Sequence, residues 1–222
     1  MMTGIFYRRN LPHWQPPGAT IFFTWRLHGS LPREAIERLS AERDRLMNQP
    51  IRQGETAHER TIRHDKIVFA LADEMLGQAG YGPRWLGDPA IAHLMTDAFF
   101  YHNGQLYDLT AFVVMINHVH AVLRPMESGK TDDGEPKFVP ISKITKGLKG
   151  YVAREANRLL NRTGQTFWQD ESYDHWVRDE AELARIVTYV ESDPVRCGLV
   201  ERPEDWRWSS AWEREYGRLR SV

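Results

Sequence analysis

Apolar and polar positions repeat along this chain with two alternating periods, and each change of period marks an element. Residues 19–27 (ATIFFTWRL) form a β-rich apolar run between Pro16-Pro17-Gly18 and Gly29, which predicts a buried strand. From Arg33 to Met47, Ile36, Leu39 and Leu46 recur at helical spacing behind Ser30 and Pro32, predicting an amphipathic helix. Residues 49–54 break it. A second helical stretch runs from Thr56 to Leu76, carrying Ile62, Ile67, Phe69, Leu71 and Met75. Residues 77–83 read as a turn cluster, and Trp85-Leu86 as a short strand or an extended lead-in. Asp88 is placed to cap a helix that opens on Pro89 and runs to about Tyr101. Residues 107–115 (YDLTAFVVM) carry the strongest strand signal, followed after Asn117 by 118–123 (HVHAVL), as a hairpin or a bulged pair. Residues 125–140, rich in Gly, Asp, Glu, Lys and Pro, predict a flexible loop. Helices are predicted over 141–160 and 180–191, the second stopped by Asp193-Pro194 and Gly198. Strands interspersed with helices around a central hairpin indicate an antiparallel α+β sandwich.

Composition adds few constraints. The chain has 222 residues, enough to bury about 70% of its unfolded surface, and reads as one domain or one domain with a helical extension. The single cysteine, Cys197, excludes a disulfide framework and a Cys-x-x-Cys metal site. No apolar run approaches the length of a membrane span, and the first residues lack the apolar core of a secretion signal. A cytoplasmic protein is therefore expected. Lys and Arg number 29 against 30 Asp and Glu, a net charge of −1. That balance hides two basic segments. Residues 1–33 carry Arg8, Arg9, Arg26 and Arg33 without an acid, and residues 141–164 carry Lys143, Lys146, Lys149, Arg154, Arg158 and Arg162 against Glu155 alone. Clustered Lys and Arg are the electrostatic footprint of phosphate binding, although a basic helix face is as often simply solvated.

His118-Val119-His120 lies on a predicted strand. Residues two apart share a face, so both imidazoles point the same way and can bind one divalent cation. An isolated His-x-His is common by chance, so a third ligand is needed. The basic helix carries Tyr151 with Glu155 four residues on, hence on the same helix face. Laid beside the histidine strand, that helix would present a phenol and a carboxylate together. Two histidines and one carboxylate leave open positions, which suits Mg²⁺ or Mn²⁺ bridging phosphate oxygens. A tyrosine hydroxyl is a candidate nucleophile, with an unperturbed pKa of about 10 that requires a nearby cation or base. The ordinary reading of Tyr151 is a half-buried helix aromatic, and of Glu155 a partner for Arg158.

His-hydrophobic-His after Met115-Ile116-Asn117, followed by Lys149-Gly150-Tyr151 on a basic helix, resembles the single-tyrosine HUH transposases. More closely, the chain resembles the REP-associated tyrosine transposases, relatives of the IS200/IS605 enzymes. The resemblance continues through 167–175 (FWQDESYDH), 193–200 (DPVRCGLV) and 206–210 (WRWSS), so it runs from about Tyr7 to Ala211. Two departures are Ile116 in place of the usual proline and Asp193 in place of the usual asparagine, neither expected to touch the ligands. The resemblance implies a ferredoxin-like antiparallel sheet with flanking helices, as a core over 1–165, and a C-terminal helical extension over 166–222. It implies cleavage of single-stranded DNA at palindromic repeat hairpins, with Tyr151 as nucleophile and a 5′-phosphotyrosine intermediate. It places a divalent metal, Mg²⁺ or Mn²⁺, on His118, His120 and Glu155. Arg8, Arg9, Lys143, Lys146, Lys149, Arg154 and Arg158 are then expected to hold the DNA backbone. Trp14, Trp25 and Trp168 are candidates for stacking on unpaired bases, with core packing favoured for Trp25. A bacterial, cytoplasmic monomer or homodimer is implied.

Histidine-triad hydrolases are excluded, because Val122 stands where a third alternating histidine belongs. Replication initiators and relaxases fit less well: the chain has neither a P-loop nor a second tyrosine four residues from Tyr151. A relative that binds hairpins without cutting them is the remaining alternative. Asp174-His175 is expected to be structural, setting the C-terminal helix against the catalytic face.

Overall fold

A computed structural model describes residues 5–8, 12–78, 80–170, 172–217 and 219, with the backbone alone described for 5–8 and 12–15. β1 (Ile5–Arg8) and β2 (Pro12–Gln15) pair antiparallel in a small sheet of their own. β3 (Ile21–Arg26) matches the apolar run predicted to be a buried strand. Then come α1 (Arg33–Met47) and α2 (Ala57–Gly77), which pack on each other. Thr56 and Glu59 start α2 with a reciprocal cap. The Glu59 N–H donates to Thr56 Oγ1 at 3.2 Å, and the Thr56 N–H donates to Glu59 Oε2 at 2.8 Å. Trp85–Gly87 is a 3₁₀ turn rather than a strand. α3 (Pro89–Tyr101) opens as expected, with Asp88 Oδ1 accepting from the Ala90 N–H at 2.8 Å.

β4 (Tyr107–Val114) and β5 (His118–Pro125) form an antiparallel pair with a register shift between Leu109 and Ala111. The shift matters because side chains alternate with period two: it turns Phe112 and Val114 to the same side as Leu109, and Ala111 and Val113 to the other. The polar segment expected to be a loop contains a hairpin, β6 (Glu127–Lys130) and β7 (Pro136–Phe138). Its tight turn is closed by the Gly134 N–H on the Thr131 carbonyl at 2.9 Å, with Gly134 at φ 82°. Such an exposed ladder leaves no apolar alternation to read.

α4 (Ile141–Leu159) follows, then β8 (Tyr173–Trp176), a strand too short and polar to be read from the sequence. α5 (Glu180–Arg196) continues through Asp193-Pro194 instead of stopping there. Pro194 lacks an N–H, but it falls in the last turn, where one lost bond is tolerated. Gly198, at φ 68°, follows the helix end. α6 (Ser210–Tyr216) ends the described chain after a 3₁₀ turn at Pro203–Asp205.

The central sheet has the order β4-β5-β3-β8, antiparallel throughout. One face packs Ile21, Phe23, Trp25, Val119, Ala121 and Leu123 against α3 and α4, through Met95, Phe99, Ile144, Leu148 and Val152. The other face packs Phe22, Val113 and Val122 against Phe69 of α2 and Val190 of α5. The outer edge of β4 is covered by the tail, since the Val114 N–H donates to the Trp208 carbonyl at 2.8 Å. This is a mixed α/β fold with a four-stranded antiparallel sheet and helices on both faces. The residues after 165 supply both an edge strand and a covering helix of this sheet. No helix among the described residues is long and apolar enough to cross a membrane.

Candidate metal centre and the tyrosine helix

The strand period decides where the histidines point. Val119 enters the α3/α4 core, so His118 and His120 must face α2 and α5. The His120 ring accordingly lies 5.5 Å from Phe22, 6.3 Å from Phe69 and 5.8 Å from Tyr189. Both imidazoles are essentially buried, at 1% and 0% exposure, with centroids 4.8 Å apart.

Their outward nitrogens are tied. Asn117 Nδ2 donates to the Leu76 carbonyl at 3.0 Å, which leaves Asn117 Oδ1 to accept from His118 Nδ1 at 2.7 Å. A proton on Nδ1 leaves the neutral ring a lone pair on Nε2. Thr24, directly opposite His120 on β3, has its hydroxyl 2.7 Å from His120 Nδ1. It accepts from Nδ1 in the tautomer that likewise frees Nε2.

Two carboxylates face the Nε2 atoms. Asp73 Oδ1, from α2, lies 3.1 Å from His120 Nε2 and 3.8 Å from His118 Nε2. Asp193 Oδ2, from α5, lies 3.2 Å from His118 Nε2 and 3.5 Å from His120 Nε2. The second of the two sequence departures therefore falls against the histidines, contrary to expectation. Asp73 Oδ1 and His120 Nε2 are buried and carry no hydrogen bond despite their closeness. A lone pair and a carboxylate oxygen aimed at one point form a cation site, and Asp73, His118 and His120 together fit a divalent metal. Burial pushes the Asp73 carboxyl up, but His120 and His118 outweigh it and hold it at about 2. Asp193 is held far below the carboxylate range by the same histidines against its burial. Burial lowers the His120 pKa, and the two aspartates raise it to about 9. Without a cation, His120 would carry the positive charge itself.

A cavity of about 320 Å³ between α1, α2, β3 and β8 reaches Asp73. Arg26, Arg43 and the stacked pair Phe69 and Tyr173, with centroids 4.0 Å apart, help line it.

Tyr151 and Glu155 lie elsewhere. α4 covers the opposite face of the sheet, and its outer side carries Tyr151, at 43% exposure, beside His93, Asp97 and Tyr101 of α3. Glu155 is held by Arg154 at 3.0 Å and Arg158 at 2.7 Å, which pull its carboxyl below the usual range. Within one chain, then, Glu155 does not meet the histidines. The carboxylates beside them are Asp73 and Asp193, which sequence reasoning missed. Asp73 did leave a signal: it shares the apolar stripe of Phe69 and Leu76 at helical spacing, where a carboxylate is out of place.

Of the residues expected to hold DNA, Lys143, Lys146, Arg154 and Arg158 are exposed on α4. Lys149 Nζ is drawn to the Gln169 carbonyl at 3.0 Å. Arg8 belongs to β1, with only its backbone described, and Arg9 lies outside the described residues, as does the Trp14 side chain. Trp25 is core, as expected. Trp168 is too, with its indole N–H donating to the Lys149 carbonyl at 3.1 Å, so it offers no face for stacking. His175 reaches Glu182 of α5 at 3.0 Å.

No family model matches the chain. A Haemophilus influenzae protein named "Putative REP-associated tyrosine transposase" is 26% identical over 109 residues, covering 47% of this chain and 58% of that protein. The match thus spans a little over half the length of that relative. Among solved structures, the chain is similar to a REP-associated tyrosine transposase bound to a REP hairpin. That likeness has a TM-score of 0.52 and 16% identity, and covers 94% of this chain and 84% of that one. The resemblance read from the sequence thus returns in a curated relative, and the fold in a solved structure.

Proposed function

We propose that the chain is a metal-dependent single-strand DNA endonuclease and transposase that cuts and rejoins DNA at repeat hairpins through a 5′-phosphotyrosine. The observation that carries this reading is the convergence of His118 Nε2, His120 Nε2 and Asp73 Oδ1 in a buried pocket, with both rings oriented from behind by Asn117 and Thr24. Those three residues would hold a divalent cation, Mg²⁺ or Mn²⁺, which when bound supplies Lewis-acid polarisation of a phosphate oxygen. Tyr151 would attack the phosphorus, forming its phosphoester as the bond to the 3′-oxygen breaks. The exposed cations of α4 would hold the backbone alongside it. The names of the two similar proteins support a repeat hairpin as the DNA.

A specific observation favours a second reading. Tyr151 and the histidines lie on opposite faces of one sheet, so a single chain in this conformation does not bring Tyr151 to the metal, and the tyrosine beside the histidines is Tyr189, whose hydroxyl donates to Asp73. Either a second copy supplies Tyr151, or the protein binds hairpins without cutting. Single-stranded oligonucleotides carrying a palindromic repeat, incubated with Mn²⁺, separate these cases. Cleavage predicts a covalent adduct on the wild type that Tyr151→Phe abolishes. Supply by a second copy predicts that Tyr151→Phe mixed with His120→Ala regains activity. Hairpin binding with no adduct under any of these conditions would establish the non-cutting reading, and an adduct that persists in Tyr151→Phe would remove that tyrosine from the mechanism.

A further inference from the structure

The helix α1 is only partly packed. Of its residues Leu46 alone is buried. Ile36, Leu39 and Arg43 recur at helical spacing, and this stripe borders the cavity of about 320 Å³ that reaches Asp73. Ile36 is left 48% exposed there. Arg43 makes no hydrogen bond or ion pair with another described residue, and its Nε is buried without a partner. Phe69 of α2 and Tyr173 of β8 line the same cavity, their rings stacked at 4.0 Å and 19°.

We propose that this cavity is a subsite for one unpaired nucleotide of a DNA strand, with Arg43 on a phosphate and the Phe69–Tyr173 pair against the base. This rests on the reading that the neighbouring centre acts on single-stranded DNA, and names the residues that would seat the strand beside it.

Size, chemistry and charge agree on that occupant. The volume falls at the lower end of the range of about 300–1,000 Å³ typical of small-ligand sites, which suits one nucleotide and excludes a duplex. A buried N–H without an acceptor is costly, and an arginine fork matches a phosphate with two parallel hydrogen bonds. An aromatic pair offers a π-face to any base. Ile36 and Leu39 can close over the base from α1, removing from water the apolar surface they now leave in it. Two carboxylates, Asp65 and Asp73, line the cavity too. Asp73 is compensated by His120, His118 and Arg196, which leaves Arg26 and Arg43 against Asp65 alone.

Access is the second argument. His118, His120 and Asp73 are 0–5% exposed, so a strand needs an approach to them. The cavity reaches Asp73, and a nucleotide held in it lies next to the centre. The stripe of α1 that packs on little protein would then be completed by the base.

The test titrates the full chain with a fluorescent single-stranded oligothymidylate, read by anisotropy, and with thymidine 5′-monophosphate as competitor. Arg43→Gln should weaken strand binding by about 10–100-fold, the worth of a hydrogen bond to a charged group. Ser40→Trp, which fills the cavity from α1, should weaken it at least as much. Both variants should keep the wild-type Tm and Mn²⁺ affinity. A strand carrying iodouracil in place of thymine, irradiated on the wild type, should crosslink to Phe69 or Tyr173 by mass spectrometry, a measurement that needs no variant. Strand binding unchanged in both variants, or crosslinks confined to residues outside the cavity, would overturn the subsite, and a covalent adduct formed all the same would leave the endonuclease reading standing. Monophosphate bound as tightly as the strand would make the ligand a free nucleotide and overturn the strand subsite. Strand binding that depends on Arg43, with no metal bound and no adduct, would support the subsite and remove the cutting reading instead.

Discussion

Single atoms decide what this centre can bind. The imidazoles are useful to a cation only if Nε2 is the bare nitrogen, and that is set by partners on the far side of each ring. Asn117 sets it for His118, because its own amide is already donating to Leu76. Thr24 sets it for His120. Thr24→Val keeps the volume and removes the hydroxyl, so metal affinity should fall by about 10–100-fold with the fold retained. Calorimetric titration of the two proteins checks this, and equal affinities would show that Thr24 does not orient the ring. His-Val-His was legible at this scale because the strand period puts both rings on one face. Their carboxylate partner was not. Asp73 and Asp193 stand 45 and 75 residues from His118, and nothing local announces a pairing made by packing.

Helices and strands bring those atoms together, and the joint between α2, β8 and α5 positions Asp73 and Asp193. Glu182, in the first turn of α5, accepts from Lys66 of α2 at 2.8 Å, meets His175 of β8 at 3.0 Å and accepts from the Arg178 N–H at 2.9 Å. Burial pushes its carboxyl up, but these partners more than offset that and hold it at about 2. A carboxylate with a depressed pKa stabilises the fold fully above its unfolded value of about 4.3, and that contribution disappears as pH falls toward 2. Urea unfolding should therefore show the wild type losing stability over that window more steeply than Glu182→Gln. Parallel profiles would show that the joint does not depend on this charge. The contact with Glu182 also sets His175 of β8 against the first turn of α5.

Across the molecule, charge sorts by location. The net charge of −1 conceals a helix, α4, whose exposed Lys143, Lys146, Arg154 and Arg158 form a local cationic surface. If single-stranded DNA follows that surface, each contacting cation adds about 0.7 to the slope of log affinity against log salt. Lys143→Gln with Lys146→Gln should then weaken binding at low salt and flatten the slope by about 1.4, measured by fluorescence anisotropy across salt concentrations. An unchanged slope would place the DNA elsewhere.

By itself the sequence determined the elements with strong periods: β3, α1 to α4, the β4-β5 pair and the shared face of His118 and His120. It also carried the resemblance to REP-associated tyrosine transposases, since both rest on order along the chain. It could not determine which helix covers which face of the sheet, because an apolar stripe buries equally well on either side. Tertiary structure made that choice. It put α4, with Tyr151 and Glu155, across the sheet from the histidines, and brought Asp73 and Asp193 to them on α2 and α5. A helix continuing through Asp193-Pro194 was likewise decided by packing, which outweighs one missing backbone hydrogen bond.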